Sequence, residues 1–215
     1  MCTVIKINNA TKKYKNKIVF RNVNLDVEKG KSYGFVGYNG CGKSVFFKAI
    51  CGFSLLTEGQ VICNGKVIGK DIDFIADAGV VIEAPEFIND LSGYKNLKII
   101  SEIRKCIDDN QIYATLKLVG LYKEKDKRVR SYSLGMKQRL RLAQALMERP
   151  EILILDEPTN GLDKESVKNL YDILNSFVKN GGTLLMSSHN KSDIDSCCDV
   201  VYEFENGSLR LLSEV

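Results

Sequence analysis

The run Gly37-Tyr38-Asn39-Gly40-Cys41-Gly42-Lys43-Ser44 spells G-x-x-x-x-G-K-S directly behind an apolar, strand-like stretch at residues 32–36. This is the layout of a phosphate cradle. Glycines at 37, 40 and 42 let the backbone curl so that its N–H groups point inward, and a following helix offers its positive end to the same spot. A polyphosphate suits such a pocket, extending to Val45. Lys43 would reach the β- and γ-phosphates as a point charge, and the Ser44 hydroxyl would coordinate Mg²⁺.

A second constellation, Ile152-Leu153-Ile154-Leu155-Asp156-Glu157-Pro158, places two adjacent carboxylates at the end of an apolar strand. Neighbours along a pleat face opposite ways, so one acid can serve a metal while the other serves a water. Asp156 is the candidate for Mg²⁺, through water. Glu157 is the candidate to polarise an attacking water or to take its proton.

These residues need a rigid support. Residues 3–36 are rich in β-branched and aromatic side chains broken by Asn, Lys and Gly, which predicts strands and hairpins. A helix is expected over 42–51. Residues 59–63 predict a strand running into an Asn64-Gly65 turn, and 79–83 another buried strand. From 86 to 150 the periodicity turns helical, with Leu97, Ile100, Ile103 and Ile107 expected on one face and Leu116, Val119 and Leu121 on a second segment. The continuous apolar runs 151–156 and 183–188 suit parallel strands covered on both faces. The class is therefore α/β, with helices flanking the sheet.

Composition excludes several alternatives. At 215 residues, 44% hydrophobic and 27% charged, the chain reads as an ordinary globular protein. No apolar run approaches the roughly 20 residues of a membrane-spanning helix, and the N-terminus lacks a secretory signal's apolar core, so a cytosolic location is expected. The net charge of +4 is mild, and the basic clusters Lys12-Lys13-Tyr14-Lys15 and 123–130 are short, so no nucleic-acid partner is expected. Seven cysteines show no C-x-x-C pair and read as reduced thiols. Cys41 lies inside the cradle, where Lys43 and a helix N-terminus would favour its thiolate.

In the order of its motifs the chain resembles the ATP-binding cassette subunits of ABC transporters, and the resemblance covers nearly its whole length. It implies a P-loop NTPase of ABC type: a mostly parallel central sheet flanked by helices, an N-terminal antiparallel β subdomain, and an inserted α-helical subdomain over about 86–150. Residues 1–85 and 151–215 would form the catalytic core of this single ATPase domain. It implies ATP and Mg²⁺ as ligands. Tyr14, upstream of the cradle, stands where the family stacks an aromatic ring on adenine. Tyr132-Ser133-Leu134-Gly135-Met136-Lys137-Gln138-Arg139 resembles the family's serine-glycine signature, in which Ser133 and Gly135 would meet the γ-phosphate held by a second cassette. Gly161-Leu162-Asp163 resembles the loop that carries Asp163 across the dimer interface. His189, the only histidine, matches the residue that contacts the γ-phosphate.

Glu83 stands where the family usually has a glutamine that links the nucleotide to the membrane subunit, and its carboxylate could bind Mg²⁺ or its water directly. The form Ile82-Glu83-Ala84-Pro85, with Leu134 and Met136 in the signature, resembles the drug- and peptide-export branch of bacitracin and lantibiotic type. The implied function is an ATPase powering transport, with export suggested. It would act through an integral membrane partner and a second cassette, identical or related, at the inner face of the cell membrane. A soluble cassette ATPase acting on ribosomes or DNA is the alternative, disfavoured because those commonly carry two cassettes or long coiled-coil insertions. A nucleotide-sensing module without turnover is disfavoured by the intact Asp156, Glu157 and His189.

Overall fold

The computed structural model of the chain describes residues 2–15, 17–83 and 86–214. Strand β1 (Thr3–Tyr14) and β2 (Lys17–Glu28) form a long antiparallel ribbon, and β3 (Ser32–Val36) leads into the glycine-rich loop. Helix α1 (Lys43–Cys51) starts behind Gly42 and stops at Gly52, whose left-handed φ of 85° and N–H bond to the Ala49 carbonyl close the last turn. The hairpin β4 (Glu58–Cys63) and β5 (Lys66–Val67) turns through Asn64-Gly65, both at positive φ, and β6 (Ala78–Val81) follows. That last strand ends two residues before the 79–83 reading.

Next come α2 (Gly93–Arg104), α3 (Asp109–Leu118) and α4 (Leu134–Leu146), with short 3₁₀ turns at Tyr122–Glu124 and Val129–Ser131. Each helix has a side-chain cap where capping chemistry calls for one. Ser92 accepts from Lys95 N–H, Asp108 from Gln111 N–H, and Ser133 from Met136 N–H. The chain closes with β7 (Ile152–Asp156), α5 (Lys164–Lys179), β8 (Thr183–Ser187), α6 (Lys191–Cys197) and the hairpin β9 (Val200–Glu205), β10 (Ser208–Glu214).

Two sheets result. One is antiparallel in the order β2-β1-β4-β5, and the other runs β10-β9-β3-β8-β7-β6, parallel at every pairing except β10 with β9. The α/β class and the mostly parallel sheet expected from the apolar runs are therefore present. Strand periodicity divides the core. Ile152, Ile154 and Leu185 point to a cluster with Phe35, Phe46, Phe47 and Phe20, which fills the space between the two sheets around α1. Leu153, Leu155, Leu184 and Met186 point the other way, into a cluster with Leu97, Ile112, Leu116, Leu140 and Leu174. Burying each such side chain contributes about 1.5–3 kcal/mol, so both faces of β7 and β8 are anchored.

The helical stretch differs from its reading in one respect. On α2 the buried positions are Gly93, Asn96, Leu97 and Ser101, whereas Ile103 is 77% exposed and Ile107 lies beyond the helix end. Ile103 lies only about 20° around the helix from buried Asn96, but it sits in the last turn, where that face is uncovered. Asn96 takes the core position because its amide bonds the Ile88 backbone N–H and carbonyl and the Ser92 carbonyl. A close approach fixes α4 as well: a Cβ on Gly79 of β6 would lie 2.1 Å from the Ala145 carbonyl oxygen.

Candidate active site

The site is assembled by register. Ser187, the last residue of β8, pairs with Phe35 of β3 on one side and with Asp156 of β7 on the other. This cross-strand row sets the loop after β3, the acids after β7 and the segment after β8 along the C-terminal edge of the parallel strands, where open α/β sheets place their ligands. Ser187 also bonds across the row. Its Oγ donates to Asp156 Oδ1 at 2.5 Å, and the Glu157 backbone N–H lies 3.0 Å from the same hydroxyl and 3.2 Å from the Ser187 carbonyl.

A cleft of about 610 Å³ opens here, lined by Tyr38 to Val45 of the loop, by Asp156 and Glu157, and by Tyr14. The loop has the glycine conformations that the motif demands. Gly37 and Gly42 have φ of 149° and 120°, and an added Cβ would come within 2.7 Å of the Phe204 carbonyl and 2.9 Å of Val19 Cγ1, respectively. At Gly40, where φ is 85°, nothing lies within 4 Å. The backbone there faces open space.

Lys43 is 6% exposed and folds back into the loop. Its Nζ donates to the Gly37 carbonyl at 2.7 Å and the Tyr38 carbonyl at 3.4 Å, and lies 3.8 Å from Glu157 Oε1. Glu157 leaves the strand at a left-handed φ of 51°, a conformation uncommon for a residue with a side chain. That turn swings its carboxylate toward His189, whose Nδ1 is 2.7 Å and whose backbone N–H is 3.3 Å from Oε2. The other oxygen, Oε1, is buried and has no hydrogen-bond donor among the described residues. An orphaned carboxylate oxygen beside a buried ammonium held by loop carbonyls and the Cys41 sulfur leaves both groups suited to new partners. A water for the first and a phosphate for the second fit the chemistry.

Ser44 and Asp156 line the same cleft. Among the described residues no group of three or more His, Cys, Asp or Glu stands ready to cage a metal. One hydroxyl and one carboxylate form a partial oxygen set, which fits Mg²⁺, an ion that usually keeps waters and shares phosphate oxygens. Glu83 is not part of this set. Its carboxylate pairs with Lys48 of α1, is 64% exposed, and does not line the cleft. Ala84 and Pro85 lie outside the described residues.

Tyr14 is half-exposed, with its hydroxyl 3.1 Å from Ser54 Oγ and the Lys12 ammonium 4.7 Å from its ring centre. Cys41 packs into the core cluster at 5% exposure, its Sγ 4.0 Å from Lys43 Nζ. Ser133, Gly135 and Asp163 do not reach the cleft. Ser133 and Asp163 are exposed and Gly135 is half-buried in a second group, where a Cβ on Gly135 would be 3.3 Å from the Gly161 carbonyl, and Leu134 closes over Gly161. Gln138 of α4 ties that group back by donating to the Pro158 carbonyl at 2.9 Å.

Sequence reasoning missed Lys17, Ile18 and Val19 and the turn Asn206-Gly207, all of which line the cleft. For the turn, the Asn-Gly pair was a usable hairpin signal, and its Gly207 carbonyl accepts from Arg21 N–H at 2.8 Å. The β2 residues carry no local signal, since only the ribbon's bend brings them here.

A family profile described as "ABC transporter" matches residues 20–160. "Uncharacterized ABC transporter ATP-binding protein YybJ" of Bacillus subtilis (strain 168) is 41% identical over 212 residues, covering 99% of this chain and 97% of that protein. "Bacitracin transport ATP-binding protein BcrA" of Enterococcus faecalis is 40% identical over 208 residues, covering 96% of this chain and 68% of that protein. Among solved structures, the "Dimeric Structure of MJ0796, a Bacterial ABC Transporter Cassette" superposes with a TM-score of 0.87 at 22% identity, over 98% of this chain and all of that one.

Proposed function

This chain belongs to the ABC transporter family as an ATP-binding, ATP-hydrolysing subunit, and we propose that it powers export through a separate membrane protein by closing with a second cassette around MgATP. The single observation that carries this reading is the separation of two groups on one chain. The phosphate loop, Asp156 and Glu157 line one cleft, with His189 bonded to Glu157, while Ser133 and Asp163 stand apart and exposed and Gly135 is half-buried beside them. A second copy, or a close relative, would bring its own Ser133 group to this cleft.

In that closed state the loop N–H groups and Lys43 hold the triphosphate, and Tyr14 stacks on the base. Ser44 and Asp156 would hold Mg²⁺, which neutralises charge on the phosphate oxygens when bound. Glu157 Oε1 accepts the proton of the attacking water, and His189, steadied through Nδ1, keeps its other ring nitrogen for the γ-phosphate. Loss of that phosphate removes the bridge between the halves, which then part.

Residues 86–150 would act as the lever that meets a membrane partner, with the chain lying on the inner face of the membrane. Among the described residues no helix is long and apolar enough to cross a membrane. Transport of a peptide or drug-like cargo outward is supported by the relation to a bacitracin transport protein. Titration calorimetry with MgATP, followed by co-purification with a membrane protein, tests the reading. Absence of nucleotide uptake by folded protein defeats it, and uptake without any membrane partner defeats its transport half.

A further inference from the structure

One buried carboxylate outside the cleft touches both catalytic loops. Asp193, on the first turn of α6, is fully buried and bonded on both oxygens. Oδ2 accepts from Thr159 Oγ1 at 2.7 Å and Ser188 Oγ at 2.6 Å, and Oδ1 accepts from the Tyr171 hydroxyl at 2.5 Å and Asn190 Nδ2 at 3.2 Å. These four donors are all neutral.

The identity of those donors gives the arrangement its meaning. Thr159 lies two residues after Glu157. Ser188 and Asn190 flank His189, and the Asn190 backbone N–H closes back on Ser188 Oγ at 3.0 Å. Tyr171 comes from α5 and ties the cluster to a helix anchored in the core through Leu170 and Leu174. Its phenol is kept protonated by burial first and then by its bond to Asp193, which preserves it as a donor.

The loops that Asp193 joins leave different strands, and nearer the cleft, among the described residues, the Glu157–His189 contact and the Ser187 bonds hold them together. Glu157 also sits at a left-handed φ, a conformation that persists only where the surroundings over-determine it. We propose that Asp193 is a positioning residue for hydrolysis: it clamps Thr159 and Ser188 onto one carboxylate and thereby sets the Glu157–His189 distance. This rests on the catalytic roles assigned to Glu157 and His189 above.

The chain's single histidine allows a direct test. With ¹⁵N-labelled imidazole, His189 contributes the only ring signals, and its Nδ1 resonance reports the contact with Glu157 without any nucleotide present. Asp193→Asn keeps the shape but replaces an acceptor oxygen with a donor. The expected result is an Nδ1 shift in the direction produced by Glu157→Gln, a kcat reduced tenfold or more, and an unchanged affinity for ATP. Thr159→Val and Ser188→Ala each cut one tether and guard against a variant that fails to fold; each should move the signal the same way and lower kcat three- to tenfold. A folded Asp193→Asn with wild-type kcat overturns the proposal, as does a lost kcat with an unmoved His189 signal. So do wild-type signals in both single-tether variants. A wild-type protein that bound no ATP would instead remove the functional reading while leaving the His189 shifts to judge the clamp.

Discussion

His189 Nδ1 sits 2.7 Å from Glu157 Oε2, and this contact occupies one carboxylate oxygen while leaving Oε1 buried and unbonded. The two residues come from the ends of neighbouring parallel strands, so their pairing depends on strand register and on no local motif. A glutamate restrained on one side and open on the other is suited to take a proton from water.

For Glu157→Gln, hydrolysis is expected to fall by about a hundredfold or more, the usual reach of a lost general base. MgATP should still bind, because the cradle is untouched. Light scattering with saturating MgATP should then show a dimer. A variant that remained monomeric would contradict the shared site.

Lys43→Ala removes the only cation buried in the loop. Charge-assisted contacts to phosphate are among the stronger hydrogen bonds. Calorimetry should show MgATP affinity reduced at least tenfold, equivalent to about 1.4 kcal/mol. Unchanged affinity would mean that the ammonium stays with the Gly37 carbonyl in the bound state.

The pairing of Glu83 with Lys48 is exposed and solvent-screened, a class of contact worth about 0–1 kcal/mol. Glu83→Gln should therefore leave the melting temperature and ATP affinity unchanged. Any effect should appear only in hydrolysis measured with the membrane partner present. Altered basal hydrolysis in the isolated chain would return Glu83 to the metal site.

How much was legible can be judged residue by residue. Motifs whose chemistry is local, such as the glycine loop at 37–44 and the Ser133 cap of α4, stood out because backbone conformation and capping act over a few residues. The buried runs at β7 and β8 announced the parallel sheet for the same reason. What could not be read was direction. Sequence places Asp156 beside Glu157, but the left-handed turn that sends Glu157 to His189 depends on Ser187, thirty residues away in the chain. Nor does spacing reveal that Glu83 meets Lys48, or that Asn96 and Ser101 are buried on α2 while Ile103 is exposed, since these are tertiary choices that override periodicity.

Asp163 caps α5, and its carboxyl is held below its ordinary value by the Ser166 N–H and then by the Ser166 hydroxyl. The folded value lies under the unfolded one, so this stabilisation is complete above about pH 3.8 and fades as pH drops through the folded value. Asp163→Ala should lower the urea midpoint at pH 7, and the gap to wild type should narrow in acid. A gap that held constant down to pH 3 would show that the cap acts without its charge.

The missing side chain at Gly79 has a mechanical meaning. With α4 seated directly on the β6 backbone, there is no compressible layer between the helix that begins at Ser133 and the edge strand of the large sheet. Such a joint transmits displacement instead of absorbing it. A push delivered to either body would arrive at the other almost undiminished, as through a dry bearing with no clearance.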